Sequence, residues 1–171
     1  MIEIKEKVPL FIDHHPYYES LNKKLMKDSV EYIFQDPKDV RNVDGGETNV
    51  RAFHTPNTIK SPSISLIHDW VLSLSASRIQ GWKFVIPHTW MIKYNKGDYT
   101  INHGHVPAIF SFVYFIKCPR GSSPLVFTTS GKKIKAEEGK LVVSPGHVMH
   151  YVPKNRCDDR ITLAGNVYLQ L

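Results

Sequence analysis

A mainly β barrel or sandwich with helices along one side is the fold class this 171-residue sequence predicts, and three observations predict it. Apolar residues recur at three- and four-residue spacing before Gly81, the period of a helix. After Gly81 the pattern changes to alternation or short apolar runs, the period of strands. Those runs are separated at regular intervals by turn sequences such as Asn95-Lys96-Gly97-Asp98, Glu138-Gly139 and Ser144-Pro145-Gly146. Helices first and many short strands afterwards lead to a sheet-on-sheet core with helices packed on one side. A chain of this length buries most of its unfolded surface as one domain, so 1–171 is expected to be a single unit. Within it, 1–81 forms a helical flank and 82–171 the β core.

The elements follow in order. From Tyr17 to Ile33, Leu21, Leu25, Met26, Val30 and Ile33 lie at helical spacing with lysines between them, an amphipathic helix. Residues 37–47 are rich in Asp, Pro, Gly and Asn and read as a loop, and Asn49 to Phe53 as a short strand. Ser61-Pro62 is an N-cap with proline in the first turn, and Ile64, Ile67, Val71 and Leu74 continue the helix it starts. Strands are predicted at Trp82–Ile86, Thr89–Tyr94, Phe110–Ile116, Leu125–Thr128, Lys140–Val143 and Arg160–Leu169, with another ending at a histidine pair after Gly97. Trp82, Trp90 and Phe110 are expected in the core.

Composition narrows the function. Cys118 and Cys157 are the only cysteines and have no zinc-finger or C-x-x-C spacing, which argues against a disulfide scaffold or cysteine zinc site. No apolar run reaches the length of a membrane span, and the start Met1-Ile2-Glu3-Ile4-Lys5 has no apolar signal region, so a soluble cytoplasmic protein is expected. The formal charge of +6 is spread over small groups, Lys23, Lys24 and Lys27 in one and Lys132, Lys133, Lys135 and Lys140 in another. That distribution fits a solvated surface, with an acidic partner or nucleic acid as the alternative.

Chemistry concentrates in the last third. His103-Gly104-His105 puts two imidazoles two residues apart, so they can aim at one ion from a strand or its end. His150 offers a third ligand from another strand, and three protein ligands leave coordination positions open for substrate or oxygen. Alternation in Arg160-Ile161-Thr162-Leu163 sets Arg160 and Thr162 on one face, with Ile161, Leu163 and Val167 on the other. A guanidinium there calls for an anion, and a carboxylate bound bidentately suits it best. Asn166 can line the same pocket. His147 faces away from His150 on a strand, and His14, His15, His54, His68 and His88 have no partner at ligand spacing and are taken as structural or surface residues.

Over residues 82–171 the sequence resembles the iron(II)- and 2-oxoglutarate-dependent oxygenases, in particular the prolyl-hydroxylase-like branch and small members from marine bacteria and phages. The resemblance rests on Tyr94-x-x-Gly97-x-Tyr99 before the histidine pair, Ser111-Phe112-Val113-Tyr114-Phe115 after it, Ser123-Pro124-Leu125-Val126-Phe127, and Arg160-x-Thr162 following His150. It implies a double-stranded β-helix, a jelly-roll or cupin-like barrel with N-terminal flanking helices. It also implies Fe(II), 2-oxoglutarate as cosubstrate, O2, and an unknown prime substrate, peptidyl and prolyl-like or a small molecule, hydroxylated with release of succinate and CO2. His103 and His150 would be iron ligands, Arg160 would take the distal carboxylate of 2-oxoglutarate with Thr162 in support, and Tyr94, Tyr99 and Tyr114 would line the pocket. Either Tyr94 or Tyr114 would donate to the cosubstrate. The region Asp36 to Thr58 is where such proteins build specificity. The family motif has Asp or Glu two residues after its first histidine, whereas this chain has His105, expected here as the third ligand. Two alternatives stand beside this reading. A cupin proper matches the glycine and histidine spacing but has no need of Arg160 and expects a glutamate absent from 106–110. A silent metal-binding module would bind metal without decarboxylating 2-oxoglutarate.

Overall fold

The computed structural model describes residues 7–32, 34–36 and 48–170, so the predicted loop at 37–47 and Ile33 fall outside the described residues. Helix α1 (Tyr18–Asp28) is shorter than the periodicity implies. A 3-10 turn at Ser29–Glu31 follows it and rotates Val30 outward, 83% exposed, where continued helical spacing would bury it. The Asp28 carboxylate accepts hydrogen bonds from the Ser63 hydroxyl and backbone N–H, tying the end of α1 to the start of α2 (Pro62–Arg78). That helix begins as predicted: the Ser61 hydroxyl accepts from Ile64 N at 3.2 Å, and Ile64, Ile67 and Val71 are buried. No described helix is long and apolar enough to cross a membrane.

Among the described residues, eleven strands form two antiparallel sheets. They are β1 (Phe11–His14), β2 (Val50–Arg51), β3 (Phe53–His54), β4 (Phe84–Tyr94), β5 (Tyr99–His103), β6 (Phe110–Lys117), β7 (Leu125–Phe127), β8 (Lys133–Ile134), β9 (Lys140–Pro145), β10 (His150–Val152) and β11 (Arg160–Leu169). The larger sheet runs β1-β9-β6-β11-β4-β3 and the smaller β2-β5-β10-β7-β8. Both faces of the larger sheet are covered. On its outer face Phe112, Tyr114, Leu141, Met91 and Leu163 pack with Leu21 and Leu25 of α1 and Ile64, Ile67 and Val71 of α2. On its inner face Ile92, Tyr94, Phe115 and Val142 meet Val50, Leu125, Phe127 and Val152 from the smaller sheet. Double burial explains why β6 reads as a nearly continuous apolar run.

Two of the predicted strands are one. Trp82–Ile86 and Thr89–Tyr94 merge into β4, whose pairing with β11 shifts register between Asn166↔His88 and Tyr168↔Val85. The extra β4 residue of that bulge falls at Ile86-Pro87, where a residue with no N–H to give the ladder is tolerated. Trp82 lies ahead of the strand and is 55% exposed, contrary to its expected place in the core; Phe110 is buried as expected. The alternation of β11 is as read, with Arg160, Thr162 and Ala164 opposite Tyr94, Ile92 and Trp90 of β4 and Ile161, Leu163 and Val167 in the outer core.

Candidate metal centre and its cavities

His103 ends β5, His150 begins β10, and the two stand opposite each other in the ladder. The next pair is Thr100↔Val152, so β5 carries one residue more than β10 between the two pairs. This bulge breaks parity. Thr100 is buried and its hydroxyl meets the Tyr94 hydroxyl at 2.7 Å, while Ile101 and Asn102 are exposed and His103 turns inward beside His150. The third imidazole comes from the loop after β5. His105 N donates to Gly146 O at 2.6 Å and Ala108 N donates to His105 O at 2.7 Å, clamping that loop against the Ser144-Pro145-Gly146 turn. A Cβ on Gly146 would lie 2.0 Å from Ala108 O, so only glycine permits this approach.

One ligand nitrogen from each of His103, His105 and His150 can be chosen so that all lie within 4.8 Å of one another. The tautomers fit a metal. His103 Nδ1 lies 2.8 Å from Ile101 O and His150 Nδ1 3.0 Å from Val148 O, so each Nδ1–H donates to a carbonyl and each Nε2 keeps its lone pair for a ligand. His105 Nε2 is 3.3 Å from His150 Nε2. Burial, reinforced by the neighbouring imidazoles, pushes His105 down to about 2 and His150 to about 4, and burial also lowers His103. Three neutral imidazoles with convergent nitrogens are a donor set for a borderline divalent ion such as Fe(II).

Two cavities flank the triad, with Val50, Trp90, His103 and His105 as walls common to both. The inner one is narrow and also bounded by Tyr94, Thr100, His150, Arg160 and Thr162. Arg160 is 1% exposed, its Cζ lies 4.5 Å from the Tyr94 ring centroid and 5.4 Å from that of Phe115, and its Nε and Nη1 have no hydrogen-bond partner among the described residues. Burial raises the Tyr94 hydroxyl above its usual range, so it stays protonated at neutral pH. The outer cavity has a volume of about 520 Å³ and includes His54, Asn57, His88, Asn166 and Tyr168 in its wall.

The structure therefore brings His103, His105, His150, Arg160, Thr162 and Tyr94 around one interior space. It does not bring Tyr114 or Tyr99 there. Tyr114 lies on the helix side of β6, where its hydroxyl donates to Asn22 Oδ1 at 2.7 Å and Asn22 Nδ2 donates to Ile116 O at 2.7 Å. Because both faces of β6 are buried, apolarity alone does not reveal which residues look into the barrel. Tyr114→Phe should lower thermal stability by about 1–3 kcal/mol, the cost of an orphaned buried acceptor, and leave the affinity of the triad for an added divalent metal unchanged when titrated beside the wild type. Tyr99 lines a groove with Asn102, Thr128 and Tyr151 on the smaller sheet, away from the triad. His147 is exposed.

Two wall residues carried no signal of their own in the sequence. His54 stacks on Trp90, centroids 5.9 Å apart and planes 15° from parallel, and Trp90 in turn lies 6.4 Å from the His105 ring. Trp90 packs against the inner core as expected and, opposite Ala164 on the Arg160 face, also walls both cavities; that register is the signal available for its second place.

No protein-family model and no curated protein matches this sequence. Solved structures do. The viral collagen prolyl hydroxylase of Paramecium Bursaria Chlorella virus-1, in its 2OG complex, superposes with a TM-score of 0.72 over 92% of this chain and 94% of its own, at 13% identity. The fold is the double-stranded β-helix of the 2OG-Fe(II) oxygenases. A Pseudomonas putida prolyl-4-hydroxylase matches at a TM-score of 0.70, covering 95% of this chain and 94% of its own at 15% identity. HygX from Streptomyces hygroscopicus, with nickel, 2-oxoglutarate and hygromycin B bound, gives 0.70 over 94% and 83% at 10% identity. On this oxygenase fold the chain keeps a three-histidine cluster where the resemblance leads one to expect two histidines and a carboxylate.

Proposed function

We propose that the protein is an Fe(II)- and 2-oxoglutarate-dependent oxygenase that hydroxylates a peptidyl, prolyl-like side chain or a small molecule, releasing succinate and CO2. The observation that carries this reading is Arg160: a guanidinium fully inside the barrel, with Nε and Nη1 unpaired among the described residues, beside three convergent imidazoles. A buried cation with no counter-charge is costly, and the arrangement makes sense for a site completed by a carboxylate. A cupin gives Arg160 no such partner.

His103, His105 and His150 would hold Fe(II) through convergent ring nitrogens, and the bound metal with 2-oxoglutarate supplies the oxidative chemistry. The chain does the rest. The Tyr94 and Phe115 rings fix the guanidinium plane, so that an unpaired guanidinium N–H is left to donate to the far carboxylate, with Thr162 on the same face. Tyr94, hydrogen-bonded to Thr100, offers a protonated hydroxyl to the inner cavity. Apolar Val50, Leu125, Val152 and Ala164 exclude water from it. Thr48, Asn49, His54 and Asn57 wall the outer cavity, which supports 1–81 as a flank that shapes specificity and 82–171 as the metal-binding core.

Anaerobic titration of iron(II)-loaded protein with 2-oxoglutarate tests the proposal. A visible metal-to-ligand charge-transfer band, and succinate once air is admitted, is the expected result. Iron binding with neither would overturn it in favour of a cupin or a silent metal-binding module.

A further inference from the structure

Arg160 is the first residue of β11. It stands opposite Tyr94 of β4, whereas the pairing of β11 with β6 begins only at Ile161. The place of the guanidinium therefore depends on how the chain enters the strand, through the segment 153–159, as well as on the Tyr94 and Phe115 rings. Within that segment only Asn155 is buried.

The Asn155 side chain joins stretches that lie far apart in sequence. Its Oδ1 accepts from Ser123 N at 2.9 Å, and its Nδ2 donates to Cys157 O at 2.7 Å and to Tyr94 O at 3.4 Å. The backbone adds to this: Asn155 N donates to Asp98 O at 2.7 Å, and Gly97 N donates to Asn155 O at 2.8 Å. Only one orientation of the amide fits, because a flip would set N–H against N–H and oxygen against carbonyl. Each joined stretch supplies a wall of the inner cavity: Tyr94 itself, Leu125 just after Ser123, and Arg160 just after Cys157. A buried amide with its bonds made fixes one arrangement of such segments, where an apolar side chain in the same space would tolerate several. The outer side of the segment is held more weakly. The Asp159 carboxylate meets Lys93 Nζ at 3.1 Å and Lys117 Nζ at 3.3 Å, but these groups are partly exposed and water screens them.

Building on the oxygenase reading, we propose that Asn155 is the positioning residue of the cosubstrate pocket. It holds Tyr94 and the entry to β11 in the arrangement that presents the Arg160 guanidinium to the far carboxylate of 2-oxoglutarate. Asn155 is in the wall of neither cavity and acts through Arg160.

The Arg160 Nε–H reports this placement without turnover, and Arg160→Lys assigns its signal in a proton–nitrogen correlation spectrum by its loss. Zinc-loaded Asn155→Ala and Asn155→Ser are compared with the wild type before and during titration with 2-oxoglutarate. Asn155→Ser leaves a hydroxyl in the space and carries the test if the alanine variant does not fold. Tyr114→Phe, which loses a buried hydrogen bond on the helix side of the larger sheet, is the control for stability alone. In the Asn155 variants the Arg160 Nε–H signal should move or broaden before any ligand is added. Their 2-oxoglutarate affinity should fall about three- to tenfold, the scale of one misaligned hydrogen bond, with zinc affinity within about twofold of the wild type. Tyr114→Phe should change neither the signal nor the affinity. Unchanged 2-oxoglutarate affinity in the folded Asn155 variants, an equal loss in Tyr114→Phe, or failure of both Asn155 variants to fold would overturn the proposal. The two readings fail separately. Wild-type protein that binds 2-oxoglutarate while the Asn155 variants leave signal and affinity unmoved keeps the oxygenase reading and loses this one. Wild-type protein that ignores 2-oxoglutarate while those variants displace the Arg160 signal loses the cosubstrate and keeps Asn155 as the residue that places Arg160.

Discussion

Arg160→Ala is expected to weaken 2-oxoglutarate binding by about two to four orders of magnitude, the scale of a desolvated, hydrogen-bonded charge pair losing one partner at about 3–5 kcal/mol. Fe(II) affinity should stay within about twofold, because Arg160 is not among the triad whose nitrogens converge. The divergence of the two numbers is the test, measured by paired metal and cosubstrate titrations on the same preparation. Arg160→Lys separates charge from geometry: an ammonium keeps the cation but not the planar fork, so affinity should recover only in part. The variant empties space between Tyr94 and Phe115, so its fold is checked by thermal denaturation first. Equal 2-oxoglutarate affinity in Arg160→Ala and wild type would remove the guanidinium from the site.

The second large effect belongs to His105. His105→Ala removes one of three convergent nitrogens and should cost at least about 100-fold in metal affinity, since even outer-sphere partners of metal ligands cost 10–100-fold. His105→Asp should recover much of that loss by supplying a carboxylate, at the same time lowering the charge of the loaded site by one. Affinity for the dianionic cosubstrate should then fall below that of the wild type while metal affinity holds. Competition against a chromophoric chelator gives the first quantity and the cosubstrate titration the second. A His105→Ala protein with unaltered metal affinity would leave only two protein ligands.

Much of this was legible in the sequence, and the failures have physical causes. Strand β11 was read to the residue because its two faces differ in chemistry, Arg160 and Thr162 against Ile161, Leu163 and Val167. Helix α2 was legible because its cap is local: Ser61 and Pro62 declare the start whatever packs on it. What escaped depended on partners far along the chain. Strand β1 is an edge strand with three exposed residues of four, held by its ladder to β9, and such a strand has no amphipathic pattern to read. Tyr114 was misplaced because a strand buried on both faces hides its orientation, and Tyr99 belongs to a strand whose parity changes at a bulge. Strict alternation along β5 would group Tyr99, Ile101 and His103. The ladder to β10 instead turns Thr100 and His103 inward. The triad was legible because His103-Gly104-His105 sets two imidazoles two residues apart, whereas Trp90 and Asn166 gain meaning only from register across β4 and β11.

The buried guanidinium also bears on how long the protein survives. A cation enclosed by aromatic rings burdens the unliganded fold, and a ligand carboxylate that relieves it binds the native state and not the unfolded chain. By mass action such a ligand at a hundred times its dissociation constant adds about 2.7 kcal/mol to the stability of the fold. That is a sizeable share of what holds a small domain together. On the proposed function, the half-life of the folded chain would then follow the supply of 2-oxoglutarate, so that starvation for it would lower the amount of protein as well as its turnover.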